Sequence, residues 1–140
     1  MRTSNGYDSL DLARAAFDAF HASMAQLRPQ WGGVAPTWEG SGDQESWEIA
    51  AGVAIHHCDV REDEDREISA AKLAAAIHLS FAFSMGRSEE WAALASETKV
   101  AWESVARMLA MMIGSDERPD PAEVEAQRQA WVEKRIPQPV

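Results

Sequence analysis

Apolar residues recur along most of the chain three and four positions apart, the spacing of one helix face. No run alternates with period two over β-branched residues, so strands are not expected. The first stripe is Leu10, Ala13, Phe17, Phe20, Met24 and Leu27, opened by an Asp8 or Ser9 cap and closed before Pro29. Residues 29–41 read as a loop rich in Gly and Pro that carries Trp31 and Trp38. A second helix is predicted over 43–58, with Trp47, Ala51, Ala54, Ile55 and Cys58 on one side. The third, over 65–85, has Ile68, Leu73, Ile77, Phe81 and Phe83 on more than one face, which predicts the central element. Gly86 reads as its C-terminal cap and Ser88 as the N-terminal cap of a short helix carrying Trp91 and Leu94. A longer helix follows to Ile113, with Trp102, Val105, Leu109 and Met112 in register, and Gly114 stops it. Residues 115–120 form a polar linker, and Asp120-Pro121-Ala122-Glu123 starts a last helix that ends at Ile136. The expected fold is all-α, a bundle of about five to six helices.

Aligned with itself, the chain shows a duplicated helical hairpin. Phe20 and Phe81, Ser23 and Ser84, and Met24 and Met85 each stand 61 residues apart. Trp38 and Trp91 are 53 apart, so the first copy carries a loop eight residues longer. Trp47-Glu48 and Ala51 match Trp102-Glu103 and Ala106 at a separation of 55. Each copy is an Ala-rich helix with a Phe, a loop delivering one Trp, and a second helix opening on Trp-Glu, which is the plan of an αα-hairpin. Copy one spans 8–58 and copy two 65–114, packed as one bundle, with 115–140 as linker and C-terminal helix. In this plan the Trp in the first turn of each second helix covers the end of the first helix, and its indole N–H reaches a loop carbonyl.

Three stretches carry a family resemblance: Leu-Ala-x-x-Ala-Phe at 12–17, Pro36-Thr-Trp38-Glu, and Glu45-Ser-Trp47-Glu-x-Ala-Ala-Gly-Val-Ala54. Together they resemble small helical proteins encoded by bacteriophages and prophages, in which an aromatic Ala-rich helix precedes a Pro-x-Trp-acidic loop and an acidic-x-Trp-x-x-Ala-Ala helix. The resemblance covers about residues 10–56; the second copy, 73–109, follows it less closely and has no counterpart of Pro36. In some phage proteins a similar module precedes a domain related to ryanodine-receptor repeats, and the stretch from Ala122 to Lys134 is similar to the opening helix of that domain. The family supplies no catalytic residues. It implies an accessory protein of phage type working in a host cytoplasm.

Composition narrows the function classes. With 140 residues and 46% hydrophobic content, the chain can bury a core. Thirteen Lys and Arg against 23 Asp and Glu leave a charge of −10, which disfavours direct binding of nucleic acid or an anionic membrane. The single cysteine cannot form an internal disulfide, which suits a reducing cytoplasm. The first eight residues lack the apolar core of a signal peptide, and the most apolar run, 73–85, is too short to span a bilayer.

The stretch 56–67 looks most like chemistry, with His56, His57 and Cys58 followed by the acidic run 59–67. Adjacent ligands on one helix diverge by about 100°, and there is no spaced second pair, so a zinc site is not expected. A calcium loop would need Gly where Glu64 stands and Glu where Ala70 stands. Nothing in the sequence places Cys58 at a helix N-terminus beside an oxyanion hole, and Gly32-Gly33 lacks the Lys-Ser or Lys-Thr of a phosphate loop. His78 lies on a nearly all-apolar helix and reads as a hydrogen-bonded core residue. No cofactor, metal or catalytic set is expected. The leading reading is a non-enzymatic acidic protein that binds and modulates a host or phage protein. Its candidate partner-binding residues are the unassigned Trp31 and Trp131 and the carboxylates Asp59, Glu62, Asp63, Glu64, Asp65, Glu89 and Glu90. The alternatives are a nucleic-acid mimic that inhibits a DNA- or RNA-binding enzyme, and an assembly protein working as a homo-oligomer.

Overall fold

The computed structural model describes residue 3 and residues 5–29, 36–60 and 66–136, with backbone alone for 58–60 and 66–69. Five α-helices account for nearly all of it: α1 (Ser9–Leu27), α2 (Gln44–Val60), α3 (Arg66–Ser84), α4 (Ser96–Gly114) and α5 (Pro121–Glu133). The described residues contain no strand. Helix α1 starts at a capping box, in which the Asp8 carboxylate accepts from Asp11 N–H at 2.8 Å and the Asp11 carboxylate from Asp8 N–H at 3.1 Å. At the end of α3, Gly86 takes φ +73°, and the amides of Gly86 and Arg87 reach back to the carbonyls of Phe83 and Ala82. That pairing satisfies carbonyls the helix leaves open. Asp120 accepts from Ala122 N–H at 3.0 Å with Pro121 behind it, as the sequence signal requires.

Helices α1 to α4 form an up-down-up-down ring in which each packs against its sequence neighbours and α4 closes onto α1. The antiparallel order shows in side-chain contacts: Asn5, just ahead of α1, donates to the carbonyls of Met112 and Ser115, while Arg28 pairs with Glu97 at 2.9 Å at the other end. Helix α5 lies outside the ring in the groove between α1 and α4. Gly6 sits at φ +91° beneath Arg118, whose guanidinium donates to the carbonyls of residues 5 and 6 and lies over the Tyr7 ring at 4.5 Å.

Two expectations are corrected. Helix α3 is not the central element: it is one of four ring helices, and its extra apolar positions face outward, with Leu79 63% and Phe83 82% exposed. The short helix near 88–94 is a single 3-10 turn, Trp91–Ala93, and Ser88 does not cap it, because Glu90 holds the cap position with no side-chain bond. Few residues separate Gly86 from Ser96, and a helical nucleus must fix several residues before it gains a second hydrogen bond.

The inter-ring contacts repeat across the two hairpins. Phe17 meets Trp38 at 5.5 Å and Trp47 at 5.9 Å; at the matching positions His78 meets Trp91 at 5.8 Å and Trp102 at 5.6 Å, all four edge-on. Phe20–Trp102 at 4.7 Å mirrors Phe81–Trp47 at 4.6 Å, and Trp47 stacks on Trp102 at 5.3 Å and 25° where the halves meet. The tryptophans of the second helices therefore fill the space between hairpins and do not cover hairpin ends. Trp47 Nε1 is buried with no hydrogen-bond partner among the described residues, contrary to the expected loop carbonyl. The stacked ring has no carbonyl within reach at the bundle centre, and apolar contact outweighs the lost bond.

Candidate interaction surface

The two interfaces related by this correspondence, α1 with α4 and α3 with α2, each hold a pair of serines. Across the first, Ser104 donates to the Ala101 carbonyl at 2.7 Å, Ser23 donates to Ser104 at 2.8 Å, and Arg128 of α5 donates to Ser23 at 2.8 Å. Arg128 also reaches Gln26 and forms a two-pronged pair with Glu125, at 2.9 and 2.5 Å. The hydrogen bond from Arg128 holds the Glu125 carboxyl below the usual carboxylate range. Val124 and Val132, one helical turn to either side of Arg128, are also buried, so the buried stripe of α5 is Val124, Arg128 and Val132. Ser23, Ser104 and Arg128 are all buried.

Across the second interface, Ser46 and Ser84 are 2.6 Å apart; Ser46 is buried and Ser84 exposed, and among the described residues no fifth helix lies over this side. The outward positions nearby are apolar. Ile49 is 42% exposed and Val53 half-buried on α2, while Ser80, Leu79 and Phe83 line the outer side of α3. An exposed Phe beside an exposed Leu one turn away is a departure from the usual burial of such side chains. Sequence reasoning counted Phe83 among the faces of a central helix; its spacing from Leu79, four residues back, was the available signal.

The sequence-predicted binding residues fall in separate places. Trp31, Glu62, Asp63, Glu64 and Asp65 lie outside the described residues, as does the side chain of Asp59. Trp131 is half-buried on α5, with the Arg135 guanidinium over its ring at 3.5 Å and that of Arg107 at 5.3 Å. Glu89 is engaged: it accepts from His78 Nε2 at 3.2 Å and lies 3.8 Å from the Arg87 guanidinium. Glu90 is exposed one residue on, beside a shallow hollow lined by Ser88, Ala93 and Leu94. His78 is buried between Trp91 and Trp102; its Nε2 bond to Glu89 ties α3 to the turn ahead of α4, and its Nδ1 is buried with no hydrogen-bond partner among the described residues. The side chain of Cys58 is outside the described residues, and among those described no three His, Cys, Asp or Glu converge as a metal would require. No described helix is long and apolar enough to cross a membrane.

His21 packs edge-on against Phe17 at 4.4 Å and near Trp47, and burial lowers its pKa from 6.5 against the opposing pull of Asp43 and Asp18. The unfolded chain therefore takes up this proton first as the pH falls. Stability from His21 is fully present above about pH 6.5 and declines as pH drops toward its folded value. Urea midpoints at pH 7.5 and 5.5 should show this loss in the wild type, and His21→Gln should flatten it.

Compared with known protein families, with characterised proteins and with solved structures, the chain matches none.

Proposed function

We propose that this is a non-enzymatic interaction protein that binds another protein through the outer face of α2 and α3. The observation that carries this reading is Phe83, 82% exposed on a packed helix one turn from exposed Leu79, with Ile49 exposed on the adjoining α2. An exposed side chain of this kind contributes nothing to its own fold, while full burial against a partner stabilises a complex by roughly 1.5–3 kcal/mol. The charge of −10 adds steering toward a basic partner. A phage-type accessory role in a host cell belongs to the same proposal and rests on the sequence resemblance.

Phe83→Asp tests it. Substitution at so exposed a position should leave the urea midpoint nearly unchanged, within about 0.5 kcal/mol. Capture of a binding protein from lysate by the immobilised variant should fall at least about tenfold against wild type, and wild-type capture should weaken as salt rises. Capture that Phe83→Asp leaves intact would sink this reading. A salt-insensitive oligomer in light scattering that Phe83→Asp dissociates would replace it with the assembly role.

A further inference from the structure

The two related grooves of the ring differ in one respect: α5 fills the α1–α4 groove and the α2–α3 groove is open. We propose that the open groove is the docking site for an amphipathic helix of a basic partner protein, presenting an apolar–arginine–apolar stripe at i, i+4 and i+8. This rests on the protein-binding reading above and specifies its partner.

The covered groove shows what such a surface accepts. Its occupant brings one valine, one arginine and one valine, each a helical turn apart, and the arginine is received by a serine hydroxyl already paired across the two ring helices. The open groove repeats the receiving serine: Ser84 stands where Ser23 stands, while the position matching Ser104 holds Ile49 and the paired hydroxyl comes from Ser46, three residues earlier. The Ser46–Ser84 pair spans α2 and α3 as Ser23–Ser104 spans α1 and α4, and Ser84 and Ser23 stand at matching positions in the two copies. Among the described residues no cation approaches Ser46 or Ser84. Ser46 is buried and Ser84 exposed, so the Ser84 oxygen, paired with Ser46, keeps a lone pair open to a guanidinium as Ser23 does in the covered groove.

Apolar flanks for the stripe are present. Ile49 and Val53 follow Ser46 by three and seven residues, on the same side of α2, and Ser80 and Phe83 border the groove from α3. Charge also favours this occupant. Exposed Glu45, in the first turn of α2, adds local negative charge at this end of the helix. In the covered groove the carboxylate paired with the arginine, Glu125, comes from α5 itself. A second copy of this chain is disfavoured as the occupant, since each copy carries −10.

The probe is a fluorescein-labelled peptide of residues 119–136, added to the full-length protein and followed by anisotropy, with its site mapped by amide chemical shifts. Saturable binding is expected, with shifts centred on 46–53 and 80–84. Arg128→Ala in the peptide should weaken binding at least about fivefold, and Ile49→Glu in the protein about tenfold or more. Ser84→Ala, which leaves the buried Ser46 hydroxyl without its partner, should lower the urea midpoint slightly and weaken the wild-type peptide selectively, narrowing its advantage over the Arg128→Ala peptide. No binding, or shifts confined to α1 and α4 through exchange with the resident α5, overturns the proposal. So does binding that is indifferent to the peptide arginine. Lysate capture that Phe83→Asp abolishes, beside a peptide that does not bind, leaves the protein-binding reading intact and removes only this assignment of the partner. The opposite pattern does the reverse.

Discussion

Trp47→Ala is expected to destabilise the protein by about 4 kcal/mol, read as a shift of the urea midpoint at pH 7.5. The ring of Trp47 is buried and meets Phe17, Phe20, Phe81 and Trp102 at centroid distances of 5.9, 5.7, 4.6 and 5.3 Å. Those four residues belong to α1, α3 and α4, so removing one indole opens a cavity that all four ring helices border. Collapse around it is resisted because the neighbouring rings are held by one another. A domain of this size has roughly 5–15 kcal/mol in total, so the variant would be close to unfolding at 37 °C. Trp47→Phe keeps most of the apolar contact and gives up an indole N–H that makes no bond; it should cost only about 1–2 kcal/mol. Trp102→Ala, on the related side, should resemble Trp47→Ala. A loss below about 1 kcal/mol for Trp47→Ala would mean the stacked pair is not the centre of the core.

Glu125→Ala should destabilise more than Arg128→Met. The Arg128 side chain is 2% exposed and the Glu125 side chain 45%, so the carboxylate can turn to water but the guanidinium cannot. Taking away Glu125 strands a buried cation, which would cost 3–5 kcal/mol for a wholly buried pair and about 2 kcal/mol with half the pair solvated. Taking away Arg128 leaves Ser23 still bonded to Ser104 and Gln26 still donating to the Gln129 carbonyl, while Met fills the space beside Val124 and Val132. That change should cost about 1 kcal/mol. The double variant should fall near Arg128→Met alone, a coupling measurable in a double-mutant cycle. The folded Glu125 carboxyl sits below its usual 4.5, so its contribution is present above that pH and is lost as the pH falls through the folded value. Acid titration of the Arg128→Met variant should show a smaller loss there than the wild type.

Most of the helical plan was legible because caps and periodicity are local. The Asp8 cap, the Gly86 end and the Asp120-Pro121 start each involve atoms within a few residues, and each is found where the sequence places it. The repeated residues were visible too, and several of them meet: Phe20, Phe81, Trp47 and Trp102 form one cluster. What periodicity did not reveal is which apolar residues have a neighbour to bury against. Phe83 is one of the residues whose spread over several faces of α3 predicts a central helix; in the bundle it is 82% exposed. The sequence assigns Arg128 no role, since it shows only a polar helix around it. Only the approach of α5 to the Ser23–Ser104 pair makes it a buried donor.

By itself the sequence determined the fold class, the positions of the five α-helices, several of their caps, and the acidic charge. Those follow from backbone hydrogen bonding, side-chain spacing and composition, which act over one or two turns. Tertiary structure alone decided that the two hairpins close into a ring, that α5 covers one of two related grooves, and that Leu79, Phe83 and Ile49 stay outside. Burial is a relation between segments distant in the chain, and a helical stripe specifies a face without saying what comes to meet it.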